Sequence, residues 1–198
     1  MFILPVRPLP ETATYAYVSP GLHDGAFTSD ECRRILAMAG PFEAATVQGG
    51  VVTETFRRAD VSGIALTDES AWIFERIAVA AMNLNRQFWG FDLTGIVNPT
   101  LQLVRYRPGH HHVWHRDGCD GSFSTRKLSI TVQLCGSDAF EGGELQFYER
   151  EQPTRIPKDQ LKEGTIIVFP SYLLHCVTPV TSGVRHALVV WIEGPPYR

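Results

Sequence analysis

The sequence lacks most of the features that classify a chain quickly. Its four cysteines, Cys32, Cys119, Cys135 and Cys176, include no CxxC pair, which argues against a disulfide framework and for free thiols in a reducing compartment. It has no excess of positive charge. Eighteen Lys+Arg against 21 Asp+Glu leave −3, so no overall basic field points to a nucleic-acid partner. No apolar run is long enough to span a membrane. Phe2-Ile3-Leu4 is cut short by Pro5, Pro8 and Pro10 and lacks the charged flank and long apolar stretch of a signal peptide. It reads as an extended arm, and the protein as cytoplasmic with no membrane partner. Internal repeats and low-complexity linkers are absent too.

What remains is an ordinary globular balance, 44% hydrophobic and 20% charged, at a length suited to one domain. The first half carries the helices. Thr28-Ser29-Asp30-Glu31, followed by Ile35, Leu36 and Met38, is a capping box opening a short helix that Gly40-Pro41 closes. A longer helix is expected over 67–88, with Ile73, Ile77, Ala81, Leu84 and Phe88 as its buried stripe and Gly90 as its C-cap. Between the two, 51–66 reads as one or two strands. From residue 98 the pattern changes to short strands at 100–106, 127–134, 144–148, 165–169, 175–180 and 184–192, separated by Gly-containing turns. The expected fold class is α+β, a jelly roll with the N-terminal helices packed on one side. The expected organisation is a single domain over 1–198, with helical support and early strands in 1–97 and the β core with the metal site in 98–193.

His115-Arg116-Asp117 sets a neutral nitrogen ligand and an anionic oxygen ligand two residues apart. On an extended chain such residues share a face, so both can reach one metal. His175 is the best third ligand. Two histidines and a carboxylate make the facial triad of non-haem Fe(II) sites, which leaves open positions. A lone HxD is weakly specific, and His115 also fits a surface histidine in a His-rich turn. Arg185 adds weight. Residues 175–185 read as strand, tight turn, strand, and a hairpin would bring His175 and Arg185 to one pocket. That pocket could hold a keto-diacid with the metal at one end and a bidentate guanidinium at the other, although a surface ion pair also accounts for Arg185. On strand 127–134, Ser129, Thr131 and Gln133 share a face that lines either a cofactor pocket or a solvated outer surface. Val189 and Trp191 share the face of Arg185, in the pocket or in the core.

Several ordered motifs carry a resemblance. They are Gln102-Leu103-Val104-Arg105-Tyr106-Arg107-Pro108-Gly109, Trp114-His115-Arg116-Asp117, Arg126-Lys127-Leu128-Ser129, Phe140-Glu141-Gly142-Gly143-Glu144-Leu145, Gly164-Thr165-Ile166-Ile167-Val168-Phe169-Pro170-Ser171 and Leu174-His175-Cys176-Val177-Thr178-Pro179-Val180, closed by Trp191-Ile192-Glu193-Gly194-Pro195-Pro196. Together they resemble the prolyl 4-hydroxylase-like branch of the 2-oxoglutarate/Fe(II) dioxygenases, in particular the bacterial PKHD-type hydroxylases. The resemblance implies a double-stranded β-helix with Fe(II) on His115, Asp117 and His175, the catalytic set. It implies 2-oxoglutarate as co-substrate, its far carboxylate on Arg185 and a hydroxyl contact from Tyr106, with ascorbate as a reductant. Ser129 and Gln133 complete the expected cofactor-binding set.

It further implies O2 and a small-molecule or peptide substrate as partners, with hydroxylation of a peptidyl proline, amino acid or small molecule and release of succinate and CO2. Retention of Asp117 favours hydroxylation over halogenation. Ala187, Val189 and Trp191 stand where nucleic-acid demethylases carry a further arginine and asparagine, which disfavours that substrate class. One position departs from the family: His112 replaces a frequent tyrosine three residues before the first ligand. The run His110-His111-His112 either contacts substrate or forms an exposed turn, and is read here as the turn. The loop 118–125 and the segment 51–66 are expected to rim the iron pocket, the loop as a mobile lid. The rival reading is a non-catalytic β-barrel that binds metal for structure or sensing, which would not need Arg185.

Overall fold

The computed structural model describes residues 2–3, 20–46, 53–97, 99–118 and 121–196. The elements run β1 (Phe2–Ile3), β2 (Gly21–His23), α1 (Ser29–Ala37), β3 (Glu43–Ala44), β4 (Arg57–Arg58), β5 (Asp60–Ala65), α2 (Ala71–Phe88) and β6 (Gly95–Ile96). They continue as β7 (Thr100–Tyr106), β8 (His111–His115), β9 (Arg126–Gln133), β10 (Phe140–Gly142), β11 (Leu145–Glu149), β12 (Gln152–Arg155), β13 (Ile166–Pro170), β14 (His175–Val177), β15 (Val180–Gly183) and β16 (Arg185–Glu193). A large sheet is ordered β2-β13-β9-β16-β7-β5-β3, with β6 and β1 attached beside β16, and a smaller sheet is ordered β12-β11-β14-β8-β4. The two form a double-stranded β-helix. Strands from both halves of the sequence enter both sheets.

Local chemistry explains the helices. Thr28 Oγ1 accepts from the Glu31 N–H while the Glu31 carboxylate accepts from the Thr28 N–H, the two halves of a capping box. The long helix starts at Ala71 rather than at residue 67, because Thr67 and Ser70 engage each other and the Ser70 hydroxyl donates to the Ala65 carbonyl at 2.6 Å. Such local bonds compete with the first helical turn. Gly90, at φ 66°, follows its last turn.

Alternation along the central strands divides two cores. Leu101 and Leu103, Leu128, Ile130 and Val132, Ile166 and Val168, and Leu188, Val190 and Ile192 pack with Ile35 of α1 and with Ile73, Phe74 and Ile77 of α2. The opposite faces supply Val104, Tyr106, Ile167 and Phe169, which meet Leu145, Phe147 and Val177 of the small sheet. Ser129 and Thr131 of β9 and Arg185, Ala187, Val189 and Trp191 of β16 therefore point between the sheets.

The segment 175–185 is not a hairpin. β14 pairs with β8 and β11 in the small sheet, while β16 pairs with β7 and β9 in the large one. The chain changes partner at Pro179, which has no N–H to continue a ladder, and β15 is taken up by β10. His175 and Arg185 thus belong to facing sheets. The histidine run also departs from expectation. The turn is at Pro108-Gly109, with Gly109 at φ 85°, and His111-His112 lie in β8, paired with β4 on one side and β14 on the other. His110 is buried.

Cys32, Cys135 and Cys176 are free thiols, whereas Cys119, Val51, Val52 and most of the N-terminal arm lie outside the described residues. Among the described residues, no helix is long and apolar enough to cross a membrane.

Gly164 provides a test of the packing. It adopts φ 82°, an added Cβ would collide with the Phe27 carbonyl, and the Phe27 N–H donates to its carbonyl at 3.1 Å. Gly164→Ala is expected to lower stability by roughly 1–3 kcal/mol or more through backbone strain and steric clash. The measurement is the midpoint of urea denaturation, and an unchanged midpoint contradicts this account of the turn.

Candidate metal centre

The three candidate ligands come from three places in the chain. His115 ends β8 and His175 opens β14, and the two are register partners. Between that pair and the next, His112 with Val177, β8 holds one residue more than β14. The bulge turns His112 and His115 towards the same side, and their rings stack at 3.5 Å between centroids.

Asp117 lies beyond the end of the strand, so the simple two-residue alternation does not place it. Instead, the N–H groups of Asp117 and Gly118 both donate to the Ser171 carbonyl, each at 3.0 Å. Gly118 is required there, since a Cβ would stand 2.8 Å from the Arg126 carbonyl oxygen.

The ligand atoms of His115, Asp117 and His175 all lie within 4.8 Å of one another. His115 Nδ1 donates to the Val113 carbonyl at 2.7 Å and His175 Nδ1 to the Leu173 carbonyl at 2.9 Å. A carbonyl can only accept, so both rings carry their proton on Nδ1 and present an Nε2 lone pair to the cluster. Each Nε2 stands 3.5 Å from an Asp117 oxygen. Ser129 Oγ donates to Asp117 Oδ2 at 2.7 Å and lies 2.9 Å from Ser171 Oγ. Burial alone would raise the Asp117 pKa, but the neighbouring His175 and His115 rings and the Ser129 hydroxyl outweigh it and hold the carboxyl below the usual range. Burial pushes His175 down against the pull of Asp117. This is the donor set and openness of a facial triad.

A cavity of about 610 Å³ lies over the cluster between the two sheets. Arg185 is buried in its wall, opposite Tyr106 in register and 5.5 Å from that ring. Burial lowers its pKa, and no carboxylate of the described residues forms an ion pair with it. Ser129, Thr131, Val189 and Trp191 line the same cavity, which settles their face in favour of the interior. Gln133 shares that face but does not line the cavity; its amide turns to the Cys135 carbonyl at 3.2 Å. Ser129 lines the cavity and also donates its hydroxyl to Asp117.

His112 is a cavity residue too. Burial, then His115 and Arg57, push its pKa down to about 2. Phe123 and the group Thr53, Phe56 and Arg57 also line the cavity, in line with the expected rims; Asp120 and Cys119 of the first rim lie outside the described residues.

Sequence reasoning did not single out Ser171, Arg57 or Arg126. Ser171 follows a strand that pairs with β9, and its proximity to Ser129 is visible only once that register is known. Arg126 stands in a motif that carries the family resemblance but nothing local marks its role, and Arg57 lies outside those motifs.

Residues 101–193 match the 2OG-Fe(II) oxygenase superfamily. A PKHD-type hydroxylase of Klebsiella pneumoniae subsp. pneumoniae is 32% identical over 153 residues, 73% of this chain and 66% of that protein. Across four such PKHD-type relatives the matched stretch is 41–66% of their own length, so the chain spans less than two thirds of them. The fold is similar to a prolyl hydroxylase from Trichoplax adhaerens in complex with a hypoxia inducible factor peptide fragment, with TM-score 0.71, 16% identity, and coverage of 88% of this chain and 83% of that one. It is also similar to a viral collagen prolyl hydroxylase from Paramecium bursaria Chlorella virus-1 in its 2OG complex, with TM-score 0.64, 22% identity, and coverage of 89% and 96%.

The hydroxyl of Ser129 is expected to orient Asp117 for metal. Ser129→Ala should weaken divalent-metal binding about 10–100-fold, measured by competition titration against a chelating dye. Affinity within about twofold of the parent would remove Ser129 from this role.

Proposed function

The chain belongs to the 2OG-Fe(II) oxygenase superfamily, and on that premise we propose that it is an Fe(II)- and 2-oxoglutarate-dependent hydroxylase. Its primary substrate is a peptidyl proline, an amino acid or another small molecule. The observation that carries the reading is Arg185, a buried guanidinium in one cavity with His115, Asp117 and His175 and with no acidic partner among the described residues. An unpaired buried charge is strongly unfavourable unless a ligand compensates it. A keto-diacid that reaches the metal with one end and Arg185 with the other does so. A structural or sensing metal site has no use for such a residue.

Bound Fe(II) with 2-oxoglutarate supplies the O2-dependent oxidative decarboxylation, releasing succinate and CO2, that hydroxylates an unactivated C–H. The chain's own residues do the remaining work. His115, Asp117 and His175 would hold the metal, with both imidazoles fixed by backbone carbonyls and the carboxylate by Ser129. Arg185 would grip the far carboxylate through two parallel N–H donors. The Tyr106 hydroxyl, which bonds to no other described residue, is free to donate to the co-substrate. Leu145, Phe169 and Val177 give the cavity an apolar wall that excludes water from the reacting region.

Succinate formation from 2-oxoglutarate with Fe(II) tests the reading. His115→Ala should abolish it. Arg185→Ala should raise the 2-oxoglutarate concentration for half-saturation about a hundredfold, or roughly 3 kcal/mol. Arg185→Lys should be milder, because the charge survives and the fork does not. An alanine variant that saturates as the parent does would mean that another residue holds the carboxylate.

A further inference from the structure

The cavity is more cationic than metal and co-substrate require. Arg57, Arg116, Arg126 and Arg185 line it, and Asp117 is the only acid among the described lining residues. A divalent metal and a dicarboxylate co-substrate cancel in charge, and Asp117 offsets Arg185. Arg116 is exposed and donates from Nε to the Tyr172 carbonyl at 3.0 Å. Arg57 and Arg126 remain, half-buried, with no ion pair among the described residues. Several arginines elsewhere do have acidic partners: Arg105 and Arg107 share Asp60, and Arg76 meets Glu31.

Both guanidiniums are held in place by contacts that leave donors unused. Arg57, on β4 of the small sheet, reaches across to the Gln102 Oε1 at 3.5 Å, and its buried Nε has no hydrogen-bond partner. Arg126 stacks at 4.1 Å from the Phe123 ring and 3.9 Å from the Trp191 ring, and its Nη1 donates to the Asp117 carbonyl at 3.2 Å. Asp117 and Glu193 favour its charge, but Glu193 is engaged by the Thr125 hydroxyl at 2.6 Å. Ring stacking fixes the plane of a guanidinium while its in-plane N–H groups stay available for an oxyanion. At about 610 Å³ the cavity is within the range that encloses a drug-sized ligand, so it has room beyond a small keto-diacid.

We propose that the primary substrate carries a carboxylate and that Arg57 and Arg126 bind it beside the metal and co-substrate. The proposal rests on the oxygenase reading of the site. The carboxylate belongs either to a free small acid or to an acidic side chain of a peptide, and two matched probe pairs separate these sources. The protein is loaded with Zn(II), which binds the same donors without redox chemistry, and saturated with 2-oxoglutarate so that Arg185 is engaged. N-acetyl-L-proline and N-acetyl-L-prolinamide are titrated calorimetrically as the first pair. The blocked dipeptides N-acetyl-Glu-Pro-amide and N-acetyl-Gln-Pro-amide form the second.

The acid of at least one pair should bind about tenfold more tightly than its neutral counterpart. Arg57→Gln and Arg126→Gln should each remove most of that preference, and Arg126→Lys should restore part of it. Equal binding, or none, within both pairs overturns the proposal, as does a preference that survives in the double glutamine variant. Failure of 2-oxoglutarate itself to bind the Zn(II)-loaded protein would instead overturn the oxygenase reading.

Discussion

A central strand in this fold has to satisfy opposite demands on its two faces. On β9, Leu128, Ile130 and Val132 pack into the core under the helices, while Ser129 and Thr131 face the cavity. On β16, Leu188, Val190 and Ile192 do the first job, and Arg185, Val189 and Trp191 the second. Because the side-chain period is two, a slip of one residue would drive the Ser129 hydroxyl of β9, or the Arg185 guanidinium of β16, into hydrocarbon and turn the apolar residues of that strand out of the core. Register and chemistry are therefore specified together. The large apolar interface with α1 and α2 holds the sheet in the one register that presents the site.

Within that frame the site sets a compensated anion against an uncompensated cation. Asp117 is surrounded by two imidazoles and a serine hydroxyl, and its backbone is fixed by Ser171. Arg185 stands beside the face of Tyr106 and has no carboxylate partner among the described residues. A protein optimised for stability alone would give that buried charge a partner or replace it. Leaving it open makes the folded state less stable than it could be and makes a carboxylate ligand correspondingly favourable, the pattern expected where function opposes folding.

Much of this was legible in the chain because its signals are local. The capping box at Thr28 and Glu31, the buried stripe of α2, the limits of β7 and the alternation of β9 all follow from patterns a few residues long. What was not legible depends on partners distant in sequence. The histidine run forms a strand because β4 and β14 flank it, and the bulge that turns His112 towards His115 exists only relative to β14. The hairpin expected over 175–185 fails for the same reason: whether a chain folds back or crosses to another sheet is decided by which edges are available, and β10 supplies one. Gln133 shows the limit of alternation as well, since sharing a face with Ser129 and Thr131 does not extend it into the cavity.

The site also divides along the chain. The candidate metal ligands, Tyr106, Arg126 and Arg185 all fall inside 101–193, the stretch that matches the superfamily. Thr53, Phe56 and Arg57 line the same cavity from outside it. Metal and co-substrate are common to a superfamily, and their candidate holders, Asp117 apart, sit on paired strands whose geometry register enforces. Recognition of a particular substrate has to differ between relatives, and here part of it is carried by the short strand β4 and the turn before it, joined to the small sheet through Arg57–His112 and Arg58–His111. A short strand at the edge of a sheet can change sequence without disturbing the central register. His112, the position that departs from the family's tyrosine, is the register partner of Arg57. Both side chains line the cavity, so the imidazole at 112 and the guanidinium at 57 share one stretch of its wall.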